Sequence, residues 1–314
     1  MPGPRVAVII PNWNGAHLLR PCLASLLAQT YDDFEVIVVD NASHDESLAL
    51  IERQFPTVRT LALSTNGGYS GGCNAGIQHS QAEIVVMLNN DTEAEPDWLA
   101  HLIAGLDRHP EAGMATSRIM LYDRRDVLNA AGDLYRRDGT PDSRGVWQPY
   151  GPPYDREELV FGGSGGALAL RRAMLDEIGL FETAFFMYCE DVDLSWRAQL
   201  AGYRCVYVPN AVIYHRLSAT GGGALSSFYV GRNTLWTLAR NYPPPLLRRS
   251  WPVIIRAQLS IAWRALRAIR GAAARARLRG QLAGLATMHR WRAERRARWR
   301  GARVGVDYIQ AILD

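Results

Sequence analysis

The chain has 314 residues, 48% of them hydrophobic and 21% charged, with a formal net charge of +4. That balance excludes a disordered or fibrous chain and fits one large globular domain, or one domain and an appendage. No run of about eighteen apolar residues occurs, which argues against a membrane-spanning helix, and the four scattered cysteines lack the spacing of a metal site or a disulfide framework.

The opening MPGPRVAVII has one Arg, a very short apolar run and no cleavage site, so it reads as a first strand and not a signal peptide. A cytoplasmic protein is expected. RVAVII, EVIVVD, VRTLAL and EIVVMLN are short, β-branched and apolar on both faces, as strands of a covered parallel sheet are. Amphipathic stretches at 16–29, 45–54 and 73–80 alternate with them, which predicts a doubly wound α/β sheet over the first 110 residues. Ligands of such sheets sit beyond the carboxyl ends of the strands. The residues there are polar, acidic or Gly-rich: Pro11, Asn12 and Asn14, then Asp40, then Ser64–Gly72, then Asn89, Asn90 and Asp91.

Asp40 suits a ribose hydroxyl or a base N–H, and equally an N-cap for the next helix. STNGGYSGGCNAGI, with five glycines and two asparagines, reads as a loop whose backbone amides approach a phosphate or a base, or as a tight turn. Asp91 suits a hard cation, or caps the helix beginning near Pro96. The missing GxGxxG after strand one disfavours a dinucleotide-binding oxidoreductase.

From 112 to 165 the alternation gives way to short strands and Gly/Pro-rich loops, and FGGSGGALAL turns into a strand. Glu190–Ala201 has helix character, RCVYVPNAVIYH is strand-like, and a helix over 225–240 ends at Pro243–Pro245. Glu190, Asp191 and Asp193 open the first of these helices, either as dipole partners or with one of them as a base for an acceptor hydroxyl. His215 closes the strand before SATGGG, a loop suited to folding over a ligand, and taken alone it reads equally as a structural histidine.

Taken in order, these segments resemble glycosyltransferase family 2, of GT-A fold, and within it the bacterial rhamnosyltransferase-like branch that builds cell-surface polysaccharides. The resemblance covers residues 5–242. PNWNG resembles the P-x-Y/W-N opening, and VDNASHD resembles D-N/D-x-S-x-D. TNGGYSGGCNAGI matches N-x-G-F/Y-A/S-x-G-x-N-x-G, NND stands in the place of D-x-D, and CEDVDLSWRAQLAGYR matches E-D-x-D-L/F-x-x-R-x-x-x-x-G.

The resemblance implies an inverting transfer from a nucleoside diphosphate sugar to a saccharide or lipid-linked acceptor, assisted by Mn²⁺ or Mg²⁺. It implies that Asp40 contacts the base, and that Pro11, Asn12, Asn14, Asn66, Gly67, Gly71, Asn74 and Asn90 shape the nucleotide pocket. Asn89 would touch the ribose or a metal-bound water, Asp91 and His215 would ligate the metal, Asp191 would be the base and Glu190 would support the acceptor side. One departure matters: Asn89 replaces the first Asp of D-x-D, and an amide oxygen is a weaker ligand for a hard cation than a carboxylate. The implied division is a catalytic domain over 1–245, with a nucleotide-sugar half (1–110) and an acceptor half (111–245), then a helical basic appendage over 246–314. The alternative is a non-catalytic binding protein that keeps the fold.

That appendage holds sixteen Arg against three acids, while the rest of the chain is net acidic. Over 247–270, Leu247, Trp251, Ile254, Ile255, Ala262, Leu266 and Ile269 fall on one helical face and Arg249, Arg256, Arg264 and Arg267 on the other, with Ser250 and Pro252 suiting a helix start. This describes a helix lying in a membrane interface, which would place the protein on the inner face of the cell membrane. Docking on the catalytic domain or a homodimer contact is the alternative; no nucleic-acid motif accompanies the charge.

Overall fold

A computed structural model of the chain describes residues 3–217 and 222–313. Its first half alternates strands and helices: β1 (Val6–Asn12), α1 (Ala16–Leu27), β2 (Phe34–Asp40), α2 (Ser47–Gln54), β3 (Arg59–Ala62), α3 (Gly68–His79), β4 (Ile84–Leu88), β5 (Thr92–Ala94) and α4 (Trp98–Arg108). There follow β6 (Ala112–Leu121), the short β7 (Leu128–Ala130), β8 (Asp133–Tyr135), β9 (Pro141–Ser143) and β10 (Glu158–Val160), then β11 (Ala167–Arg171), α5 (Arg172–Ile178), α6 (Glu190–Leu200) and β12 (Arg204–His215). Helices α7 (Gly223–Asn241), α8 (Pro244–Arg267), α9 (Ala272–Thr287), α10 (Arg292–Arg300) and α11 (Val306–Ile312) complete the chain.

The main sheet runs β10-β12-β6-β11-β4-β1-β2-β3, with β5 on β12 and β7 on β6. Strands β4, β1, β2 and β3 are parallel, while β11 lies antiparallel between β4 and β6. Both faces are covered, as the apolar runs require. Val6, Val8 and Ile10 of β1 pack toward α1 and α4, and Ala7 and Ile9 pack toward α3 and α5. Successive side chains of a strand point to opposite faces, so an unbroken apolar run feeds two cores at once.

The Gly-rich stretch departs from the expected loop. Helix α3 begins at Gly68, so four of the five glycines lie inside it. Close packing is the reason: a Cβ at Gly76 would meet Ile9 at 2.4 Å and one at Gly72 would meet the Asn41 side chain at 2.6 Å. The glycines bring α3 against β1 and the end of β2, at some cost in helix propensity.

The C-terminal helices share a core with α6 and the short strand β8. Trp236 and Tyr242 of α7, Leu246 and Ile254 of α8, Trp291, Ile309 and Leu313 pack with Tyr135, Phe161, Phe185 and the fully buried Trp196. Helix α8 starts at Pro244, earlier than expected, and Pro252 lies in its interior. Its apolar residues occupy two faces and not one: Ile254 and Ala265 turn inward, while Trp251, Ile255, Leu259, Trp263 and Leu266 stay exposed. Among the described residues no helix is long and apolar enough to cross a membrane. All four cysteines are buried free thiols.

Candidate functional site

A cavity of 780 Å³ opens at the carboxyl ends of β1 and β4 and is closed by the first turn of α6 and by α7. Of the residues singled out from the sequence, it gathers Pro11, Asn12, Asn66, Asn89, Asn90, Glu190, Asp191 and His215.

Asp91 and His215, distant in sequence, are joined by sheet pairing. β5 runs antiparallel to β12 with Thr92 opposite His215, and the Arg216 N–H donates to the Asp91 carbonyl at 2.9 Å. The His215 Nε2 then lies 3.1 Å from Asp91 Oδ1, and its Nδ1 donates to Asn129 Oδ1 at 2.8 Å. With the Nδ1 proton committed to an amide oxygen, Nε2 turns a lone pair toward a carboxylate oxygen, and two acceptors so close call for a cation between them. A proton meets that demand, and so does a divalent metal, with Asn129 orienting the imidazole from behind. Among the described residues there is no group of three or more His, Cys, Asp or Glu side chains to hold a metal, so this pair would need further ligands from a bound substrate or water.

Asp191 stands in the first turn of α6. Its Oδ2 accepts the Gly165 N–H at 2.9 Å and its Oδ1 the Val192 N–H at 2.8 Å. Gly165 is itself fixed by the Tyr69 hydroxyl, which donates to its carbonyl. Burial raises the Asp191 pKa above the ordinary aspartate value, against the lowering pull of these amides. Glu190 is raised well above the usual range, by burial first and then by the charges of Asp191 and Asp193, and its Oε2 has no hydrogen-bond partner among the described residues. The loop before α6 is strained: Phe186, Tyr188 and Cys189 all have φ near +66°, in the left-handed region. Asn233 of α7 holds it, its Nδ2 donating to the carbonyls of Phe185, Met187 and Tyr188 at 3.1, 2.9 and 2.7 Å. Such strain persists only where its surroundings over-determine it.

The third acid of the helix belongs elsewhere. Asp193 is fully buried beneath α6, 2.9 Å from Arg197 and 3.2 Å from Arg240, with Arg298 of α10 at 3.7 Å and the Asn241 amide donating at 2.8 Å.

Other expected residues lie off the cavity wall. Asp40 is buried, accepting from the Asn12 side chain and the Ser43 N–H, and the neighbouring Asn41 lines the cavity instead. Asn12 is a hub that also donates to Ser47 and accepts from Asn90 at 2.7 Å. Asn14 braces the loop after β2 through the His44 N–H, and Asn74 clamps the Phe181 backbone at both its N–H and its carbonyl. Gly67 precedes α3 and Gly71 lies within it. Of the SATGGG loop, Ser218–Gly221 fall outside the described residues. Sequence reasoning passed over Asn129, Asn233, Tyr69 and the buried Asp133, which lines the cavity with its pKa pushed well up by burial and by Asp191. Only the polar step at Asn129, in an otherwise apolar LNAA run, hinted at any of them.

A family model described as "Glycosyl transferase family 2" matches residues 7–179. An uncharacterized protein of Sinorhizobium fredii is 31% identical over 70% of the chain, which spans only 25% of that relative. The N-acetylglucosaminyl-diphospho-decaprenol L-rhamnosyltransferase of Mycobacterium tuberculosis is 31% identical over 66% of the chain and 74% of its own length. Among solved structures, the mannosyltransferase PcManGT of Pyrobaculum calidifontis, in complex with GDP-Man and Mn²⁺, superposes with a TM-score of 0.57 at 18% identity, over 96% of this chain and 86% of that one. The fold of those neighbours is GT-A, a central, mostly parallel sheet flanked by helices, and this chain has it too.

Proposed function

The chain belongs to glycosyl transferase family 2, and from that premise we propose an inverting, metal-assisted transfer of a sugar from a nucleoside diphosphate donor to a saccharide or lipid-linked acceptor in surface-polysaccharide synthesis. The observation that carries the reading is the meeting, at one cavity, of the Glu190 and Asp191 carboxyls with His215, which is paired in turn with the buried Asp91.

Asp91 and His215 are the residues that would hold Mn²⁺ or Mg²⁺, with Asn89 beside them, and the cation would offset charge on the departing diphosphate. Asn12, Asn41, Asn66 and the half-exposed Trp13 form the donor side of the cavity. Asp191, its carboxylate aimed by two backbone amides, takes the proton of the acceptor hydroxyl. The acceptor oxygen bonds to the anomeric carbon as the bond to the diphosphate breaks on the opposite face, and one displacement inverts the centre. Glu190, its carboxyl pKa pushed up by burial, supports the acceptor side of the cavity. The name of the mycobacterial relative makes an L-rhamnosyl donor and a diphospholipid-linked acceptor the first pair to assay.

Support for a peripheral membrane location comes from α8. Trp251, Leu259 and Trp263 are 57%, 65% and 63% exposed on one stripe, and Arg249, Arg256 and Arg267 flank it. A stripe of this kind suits the boundary between headgroups and acyl chains.

Thermal unfolding with a panel of nucleotide sugars, with and without Mn²⁺, tests the central claim. One donor is expected to raise the Tm only when the metal is present. No shift across the panel would overturn the reading.

A further inference from the structure

A second cavity, of 410 Å³, lies between α7, α8 and α9, and Pro141 lines both it and the candidate active site. Two arginines line it, the exposed Arg264 from α8 and the part-buried Arg277 from α9. Neither side chain has a carboxylate or hydrogen-bond partner among the described residues, although other arginines of the same region, such as Arg240 and Arg298, are fully paired. Burial lowers the Arg277 pKa, Cys189 raises it in part, and the like charge of Arg264 lowers it again, so the two cations repel each other. A guanidinium does not escape such a position by losing its proton.

A third source of positive potential points to the same place. Helix α9 is 16 residues long and begins at Ala272 after Gly271, with no side-chain cap, and Ala273 and Ala274 line the cavity. The first-turn amides have no partner within the helix, and the positive end of its dipole lies with them. The hydroxyl-bearing Thr140 and Ser227 add donors, whereas Val230, Ile261 and Ala265 make the rest of the wall apolar.

We propose that this cavity binds the phosphate or diphosphate of an amphiphilic acceptor, with Arg264, Arg277 and the first turn of α9 as the anion contacts. The word acceptor rests on the transferase reading; the anion site does not. Two unmatched cations and a bare helix start are satisfied together by a multivalent oxyanion, and a planar guanidinium fits phosphate oxygens in pairs. The saccharide then reaches toward Asp191 past Pro141. The lipid chain leaves along α8, where Trp263 adjoins Arg264 in the chain and is exposed.

The test uses the full chain in EDTA, which silences metal-dependent donor binding, titrated calorimetrically with pyrophosphate. The wild type is expected to bind, and Arg264→Gln/Arg277→Gln to lose about tenfold or more in affinity. Since no ion pair is lost and a repulsion is relieved, the variant should unfold no earlier than the wild type; if it fails to fold, the exposed Arg264→Gln alone carries the test. Equal binding by both proteins, or none by the wild type, overturns the site. Co-sedimentation with phosphatidylcholine vesicles, with and without phosphatidylglycerol, separates the acceptor from a lipid headgroup. Equal pelleting of variant and wild type supports the acceptor, and a selective loss on phosphatidylglycerol overturns that assignment. The Tm shift with a nucleotide sugar and Mn²⁺ is expected to be the same in both proteins; its absence from both would sink the transferase reading and leave the pyrophosphate result standing.

Discussion

Glu190 and Asp191 face a cavity in which the described residues offer them no cation, whereas Asp193, in the same first turn of α6, is enclosed by Arg197, Arg240 and Arg298. Burial pushes all three carboxyls upward. For Asp193 the arginines more than reverse this and hold it below the ordinary aspartate value, while Asp191 and Glu190 stay raised. One turn of helix thus carries a charge matched within the fold beside two carboxyls that line the cavity without a cationic partner among the described residues. The cavity between α7, α8 and α9 repeats the contrast with the sign inverted: among the described residues Arg264 and Arg277 are unmatched, while Arg240 and Arg298 are matched. Unmatched charge in a concave place marks where a ligand completes the electrostatics.

Exchanging the two acids should break the comparison in opposite ways. Asp191→Asn is expected to lower single-turnover rate by about 10²–10⁴-fold, the usual span for a lost general base, while the Tm shift given by the donor and Mn²⁺ is kept. Near-normal turnover would remove Asp191 from the role. Asp193→Ala is expected to leave three arginines facing a void and cost roughly 3–5 kcal/mol, read by urea unfolding. Its pH dependence sharpens the point. A depressed carboxyl stabilises the fold above its unfolded pKa and loses that contribution as pH falls through the folded value, so the variant should show a flatter acid limb of stability than the wild type. Asp191 works the other way: its raised pKa places the acid limb of kcat/KM above the ordinary aspartate range, with activity rising as pH rises through it.

A smaller effect is expected at Asn233, whose side chain holds three carbonyls of the strained loop. Asn233→Ala should cost about 1–3 kcal/mol of stability from the unsatisfied groups alone, and kcat should fall more than KM rises as α6 loses its fixed entry. A change in stability with kcat untouched would make the residue structural only.

This division also explains what could be read from sequence. The strands β1, β2 and β4 and the helix at Glu190 are local patterns, apolar runs and an acidic first turn, and they stand where the pattern puts them. Asp191 was visible because its surroundings in the chain are characteristic. The meeting of Asp91 with His215 depends on β5 lying antiparallel to β12, a long-range pairing that no local spacing encodes. Asn129 and Asn233 act through contacts far along the chain and carry no signature of their own. The Gly-rich segment conceals a helix because glycine disfavours one in isolation, and only the close approach of Ile9 and Asn41 makes it necessary. Helix α8 departs from its sequence pattern for a related reason: periodicity reports an apolar face, and does not say that the rest of the fold takes one edge of it and leaves the other exposed.

That exposed edge supplies the smallest effect on the fold and the sharpest separation of stability from location. Trp251 and Trp263 contribute little to the protein's own packing, so Trp251→Ser/Trp263→Ser should change unfolding free energy by no more than about 0.5 kcal/mol per site. Each indole that enters a bilayer interface in the wild type is lost to it, however, and transfer of a large apolar side chain corresponds to roughly tenfold in partitioning. Pelleting with phosphatidylcholine–phosphatidylglycerol vesicles should therefore fall steeply while the donor-induced Tm shift is unchanged. Ile254→Ser, one step around the same helix but buried, should do the reverse, lowering stability with less effect on pelleting per folded molecule. If both variants pellet like the wild type, the arginine-flanked stripe is not a membrane face; if both lose stability equally, the two faces of α8 are not distinct in kind.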